Sequence, residues 1–283
     1  MKKTVRIIPR LDIKGQNVIK GIHLEGLRVL GKPDLFAKYY YETGADELLY
    51  VDAVASLYNR NSLHDIITKT AKELFIPLTV GGGIRTIDDI RLVLRAGADK
   101  IAINTAAIDN PHLIKEASKM FGSSTIVISI EAMKQPDGKY VAFTKNGREY
   151  TGIEVIEWAK RVEELGAGEI LLTSVDKEGT GTGFDIELIR KITDIVSIPV
   201  IACGGAGSID HIIEVIKKGN VDGVVLASML HYYFVKNNKN NMSEFKEGNT
   251  DFLKTGNSFS KIKTSGIQDI KKRLRQEGIN CRL

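Results

Sequence analysis

A long stretch of this chain occurs twice. Gly44-Ala45-Asp46-Glu47-Leu48-Leu49 returns as Gly166-Ala167-Gly168-Glu169-Ile170-Leu171, and Ile76-Pro77-Leu78-Thr79-Val80-Gly81-Gly82-Gly83 returns as Ile198-Pro199-Val200-Ile201-Ala202-Cys203-Gly204-Gly205. Both are steps of 122 residues, from Gly44 to Gly166 and from Pro77 to Pro199. Arg6 to Asp12 pairs with Thr125 to Glu131 at a slightly different offset. A repeat this long is half a domain rather than a solenoid unit. Each copy carries four strand-then-helix units, and two copies make the eight of a (β/α)₈ barrel, whose chemistry gathers at the C-terminal ends of its strands.

The 283 residues fit one such α/β barrel over 1–283 better than two domains. No apolar run approaches the roughly 20 residues of a membrane span, and Met1-Lys2-Lys3-Thr4 leads into a strand rather than a signal-peptide core. Cys203 and Cys281 form neither a disulfide framework nor a zinc spacing, which points to a reducing cytoplasm. A net charge of +5 without an aromatic-basic stripe suits anionic metabolites and argues against nucleic acid.

β-Branched runs predict strands near Val5–Asp12, Glu47–Asp52, Pro77–Val80, Lys100–Asn104, Thr125–Glu131, Glu169–Thr173, Pro199–Cys203 and Gly223–Ala227. Helix-period segments between them include Leu63–Leu74, Ile87–Ala96, Leu113–Phe121, Ile153–Leu165, Ile186–Val196 and Ile209–Lys218. Thr86 with Asp89, and Ser208, read as helix starts. Residues 232–264, rich in Asn, Lys, Ser and Gly, read as a flexible insertion, either a tolerated surface loop or a lid. A last helix over Ile267–Glu277 follows, capped by Ser265.

Three sets of residues could carry chemistry. Gly81-Gly82-Gly83-Ile84 and Gly204-Gly205-Ala206-Gly207 each leave a strand and enter a helix, followed by the polar strand ends Asn104-Thr105 and Ala227-Ser228. Such turns either cradle phosphates or simply make tight corners; their duplication favours a ligand with a phosphate at each end. Asp12 and Glu131 end the first and fifth strands, as an acid/base pair or as loop anchors. Arg6, Glu47, Lys100 and Glu169 start strands one, two, four and six, on the barrel-facing side by strand alternation. Taken alone, these four read as a structural ion-pair layer. The five histidines show no metal-ligand spacing, Cys203 reads as a buried inert thiol, and Trp158 reads as core.

Arg6-Ile7-Ile8-x-x-Leu11-Asp12, Val18-x-Lys20-Gly21, Val80-Gly81-Gly82-Gly83-Ile84, Ala98-Asp99-Lys100, Ile103-Asn104-Thr105-Ala106-Ala107, Gly168-Glu169-Ile170-Leu171-Leu172-Thr173-Ser174 and Gly204-Gly205-Ala206-Gly207 together resemble the HisF-type cyclase subunit of imidazole glycerol phosphate synthase. The resemblance runs from about Val5 to His231 and resumes at the last helix, leaving 232–264 outside. It implies a class I (HisH-type) glutaminase docked at the barrel floor and ammonia moving along the axis. It also implies conversion of a bis-phosphorylated ribulosyl-formimino-aminoimidazole-carboxamide ribonucleotide to imidazole glycerol phosphate and an aminoimidazole carboxamide ribotide, a lyase reaction with no cofactor or metal. By resemblance, Asp12 and Glu131 occupy the catalytic positions, and Arg6, Glu47, Lys100 and Glu169 form an ammonia gate. The same likeness matches Gly82, Asn104, Thr105, Gly205, Ala227 and Ser228 to phosphate-binding positions, with Lys20 and Asp52 nearby, and Gly83, Thr173 and Gly204 join them as candidates for substrate and phosphate binding.

The chain departs from that pattern at the mouth. Glu131 stands where the family has aspartate, Arg10 where it has a small residue, and Glu178 where it has another aspartate. A guanidinium at position 10 must find a carboxylate, Asp12 or Glu131, and would lower that group's pKa. A kept floor under a re-cut mouth leaves two further readings. One is a paralogue passing ammonia to a sugar amidotransferase that makes amidino sugars for surface polysaccharide; the other is a non-catalytic scaffold that activates a glutaminase.

Overall fold

The computed structural model describes residues 3–53, 55, 64–238 and 261–282. Eight parallel strands close on themselves: β1 (Arg6–Lys14), β4 (Leu48–Asp52), β5 (Leu78–Gly81), β6 (Lys100–Ile103), β7 (Ile126–Lys134), β10 (Glu169–Ser174), β11 (Val200–Cys203) and β12 (Gly223–Leu226). Each pairs with the next, β7 pairs with β10, and β12 returns to β1, with Arg6 opposite Gly223. This is the (β/α)₈ barrel expected from the duplication, and the strands match their expected positions to within a few residues at each end.

Two antiparallel hairpins were not legible in the periodicity. β1 continues into β2 (Asn17–Ile22) and β3 (Glu25–Gly31), and β7 continues into β8 (Tyr140–Thr144) and β9 (Glu149–Glu154). They occupy equivalent places in the two halves, after the first and fifth barrel strands. Left-handed pairs turn each chain back, His23-Leu24 in one and Lys145-Asn146 followed by Gly147 in the other. An Asn-Gly pair is the sequence signature of such a turn.

Among the described residues the outer helices are α1 (Pro33–Glu42), α2 (His64–Glu73), α3 (Ile87–Arg95), α4 (Thr105–Asp109), α5 (His112–Phe121), α6 (Val155–Glu164), α7 (Ile186–Thr193), α8 (Ile209–Gly219), α9 (Ser228–Asn237) and α10 (Ile267–Gln276). Each longer helix turns an apolar stripe to the sheet: Ile90 and Val93 on α3, and Ile212, Ile213 and Val215 on α8. Thr86 and Asp89 form the expected capping box, and the Ser208 hydroxyl accepts from the His211 N–H. The last helix starts differently from the expectation: Gly266, not Ser265, is its N-cap, and no side chain caps it.

The expected insertion also changes at its edges. Tyr232–Asn237 completes α9, because Tyr232, Phe234 and Val235 are apolar enough to be buried against the barrel. At the far end Ile262 is buried and the Lys263 N–H donates to the Gly207 carbonyl. The stretch 239–260 lies outside the described residues. Among the described residues no helix is long and apolar enough to cross a membrane.

Candidate active site

Strand alternation sorts the barrel interior into layers. At the floor, Arg6 Nη1 lies 3.0 Å from Glu47 Oε2 and 2.9 Å from Glu169 Oε1. Lys100 Nζ lies 3.1 Å from each of the same two carboxylates. Two cations and two anions therefore alternate in a closed ring, and the Thr79 hydroxyl adds a 2.5 Å hydrogen bond to Glu47. All four residues face the axis as strand parity predicted. Two residues further along each strand, Ile8, Leu49, Ala102, Val127, Leu171, Ile201 and Val225 form an apolar layer, a cluster separate from the main core between sheet and helices.

Above that layer a cavity of about 410 Å³ opens at the C-terminal strand ends. Its base reaches Ala102 and Leu171 in the apolar layer. Its walls include Asp52, Gly82, Gly83, Asn104, Thr105, Ser129 and Glu131, as the sequence assigned for most of them, together with Arg10. Arg85, Lys145 and Asn146 also line it and were missed. The last two sit at the turn of the second hairpin, which the sequence reading did not set out.

Gly82 is required where it stands. Its φ is +93°, and a Cβ there would lie 2.4 Å from the Asp52 carbonyl oxygen. Gly205 repeats this in the second half, with φ +103° and a would-be Cβ 2.1 Å from the Gly183 carbonyl oxygen. Both glycines thus have a packing reason independent of any ligand. Beside them, Asn104 and Ala227 enter α4 and α9 with nearly the same unusual backbone, φ −118°, ψ −87° and φ −125°, ψ −81°, and neither side chain caps its helix. The duplicated corners are alike in backbone but not in access. Gly204, Gly205 and Ser228 are buried and do not line the mouth cavity, and neither does the buried Thr173.

The re-cut positions form one buried network. Arg10 chooses Asp12: its Nε donates to Oδ1 at 2.8 Å, and its Nη1 is 3.7 Å from Cys203 Sγ. Lys20 Nζ bonds Glu178 Oε1 and lies 4.0 Å from Asp12 Oδ2. Lys20, expected at the substrate, is therefore occupied by two carboxylates, because the first hairpin folds it inward. Burial pushes the Cys203 thiol up to about 11, in keeping with an inert thiol. His231, hydrogen-bonded at Nδ1 to Tyr40 at 2.6 Å, is driven by burial down to about 3.

Glu131 behaves differently. Burial pushes its carboxyl up to about 7, against the opposing pull of the Arg10 charge and of a 2.7 Å hydrogen bond from the Gly147 N–H. The Arg10 charge does pull Glu131 downward, as expected of a neighbouring guanidinium, but burial outweighs it. Asp12 and Glu131 end up unequal: Glu131 lines the cavity, while Arg10 stands on the wall in front of its partner Asp12. A carboxyl near 7 on a cavity wall is suited to exchanging protons at neutral pH.

Fold and site together define a duplicated (β/α)₈ barrel with a charged axial floor and a polar cavity at the strand ends, and the family model described as "Histidine biosynthesis protein" matches residues 6–236. An imidazole glycerol phosphate synthase subunit HisF of Legionella pneumophila is 58% identical, over 73% of this chain and 98% of that protein. The HisF subunits of Methanococcus vannielii and Alkaliphilus metalliredigens are 50% and 45% identical, each over 81% of this chain and covering 92% and 91% of their own length. The chain belongs to the HisF family.

Proposed function

We propose that this chain is the synthase subunit of a glutamine amidotransferase. A HisH-type glutaminase docks under the ring of Arg6, Glu47, Lys100 and Glu169, and ammonia passes the ring and the apolar layer to an anionic acceptor in the mouth. The observation that carries this reading is the closed ring beneath a cavity whose base already reaches the layer directly above it. Ammonia is small and uncharged, so an apolar layer lets it through while resisting ions. Gly82, Gly83, Asn104 and Thr105 hold one phosphate of the acceptor and Gly204, Gly205, Ala227 and Ser228 the other, with Asp52 and Thr173 at their margins. Glu131 moves the proton, and Asp12 acts through its pair with Arg10.

By family, the acceptor is the bis-phosphorylated ribulosyl-formimino ribonucleotide, cleaved and cyclised to imidazole glycerol phosphate and the aminoimidazole carboxamide ribotide. The Arg10–Asp12 bond favours a second reading, in which the same ammonia route serves a sugar amidotransferase. The Arg10 Nε–H takes up Asp12 Oδ1 at 2.8 Å, so that oxygen is already engaged before an acceptor arrives. Assay of the purified chain with ammonium salt and the ribonucleotide separates the two. Robust turnover supports the histidine-pathway reaction. Absence of turnover, with ammonia still released and channelled when a glutaminase is added, supports the second. Failure of any glutaminase to bind removes both.

A further inference from the structure

Arg10 is a charged group on the cavity wall with donors that no described residue takes up. Its side chain is 5% exposed, and a guanidinium has five N–H donors to place. Nε has Asp12 and Nη1 has only the distant Cys203 thiol; among the described residues Nη2 has no hydrogen-bond partner. Nη2 is not among the polar atoms closed off without a partner, so on the wall that Arg10 lines this N–H edge opens on the cavity and can meet a ligand there. Glu131, an acid of the same cavity, accepts from the Gly147 N–H and makes no hydrogen bond to Arg10. Residues around the same cavity leave room: Ser129, the half-barrel counterpart of Arg10, and Gly81 and Ala102 are all small.

We propose that Arg10 is an acceptor-binding residue that takes an oxyanion, a carboxylate or phosphate oxygen pair, through the N–H edge no protein group uses. Guanidinium forks match two-oxygen anions in geometry, and such charge-assisted bonds are the strong ones. Arg10 lines the same cavity as Gly82 and Gly83 but stands on the first strand rather than at a glycine corner, with Ser129 as its half-barrel counterpart. The inference rests on the cavity being the acceptor site and is independent of the ammonia route.

The test uses the full chain, crystallised without phosphate or sulfate and soaked in selenate. An anomalous selenium peak beside the Arg10 guanidinium is expected, and is expected to vanish in Arg10→Met. No peak at Arg10 in the unaltered protein, or a peak that persists unchanged in Arg10→Met, overturns the proposal. Calorimetric titration with inorganic phosphate and, separately, with malonate identifies the preferred oxyanion. Its affinity is expected to fall about 10- to 100-fold in Arg10→Met, as for loss of a charged hydrogen bond, and less in Arg10→Lys. Equal affinity in all three proteins overturns the proposal. Should Arg10→Met fold poorly because Asp12 is stranded, Arg10→Met/Asp12→Asn removes both charges, and the soak of the unaltered protein decides by itself. Since no ammonia or glutaminase enters these measurements, a chain that binds selenate at Arg10 yet fails to use ammonia sinks only the amidotransferase reading.

Discussion

Glu131 shows how one side chain couples stability to proton transfer. Its ordinary carboxyl value is 4.5 and its folded value is about 7, so between those limits the folded chain keeps a proton that the unfolded chain has released. The stability it contributes is therefore fully present below pH 4.5 and is lost as pH rises through 7. Glu131→Gln is expected to flatten that slope, by an amount on the order of 3 kcal/mol between pH 4.5 and 8, read from denaturant melts. If the variant melts with the same pH dependence as the original chain, the carboxyl is not held protonated. For the reaction, Glu131→Gln is expected to cut turnover about 100-fold or more, the usual scale of a lost acid/base group. The identity of this residue was legible in the sequence because Glu131 repeats Asp12 in the second half. Its ionisation was not, because that depends on burial and on the Gly147 N–H, which a hairpin supplies from 16 residues away.

Elements were legible where their signals are local. The capping box at Thr86 and the Ser208 cap follow from two residue types at a fixed spacing, and the barrel strands follow from β-branched runs beside duplicated glycines. Thr86→Ala is expected to lower stability by about 1 kcal/mol without altering the mouth. Gly82→Ala, which combines a left-handed φ with a collision against Asp52, is expected to cost more than about 2 kcal/mol and to distort the first glycine corner. Chemical denaturation ranks the pair, and equal losses would show that the Gly82 corner can relax. The two hairpins escaped notice because β2 and β8 are short extensions of strands already counted. Their residues are nevertheless the ones that bury Lys20 and bring Lys145 and Asn146 to the cavity. α9 runs past the point where composition turns polar, since Phe234 and Val235 still pack inward.

At the scale of the molecule, the ring and an exposed apolar corner share the floor. Phe75 is 82% exposed and borders a hollow of about 330 Å³ with Leu74, Pro77, Leu78 and Gly97, immediately before the strand that carries Thr79. Phe75→Ser is expected to leave the melting temperature within a degree or two while weakening glutaminase binding about tenfold or more, as for a truncated aromatic anchor. Unchanged affinity in a pull-down titration would move the partner elsewhere. Lys100→Ala, which leaves Glu47 and Glu169 sharing Arg6 alone, is expected to lower turnover driven by glutamine more than turnover driven by added ammonium. The last consequence comes from the unequal corners. Two copies of one unit have diverged in access, since Gly82 and Asn104 open on the cavity while Gly204, Gly205 and Ser228 are buried and do not line it. Ligands carrying a single phosphate should therefore dock in one rapid step. If both corners take phosphate, as proposed above, those carrying two should seat more slowly, because the second corner is the less accessible of the pair.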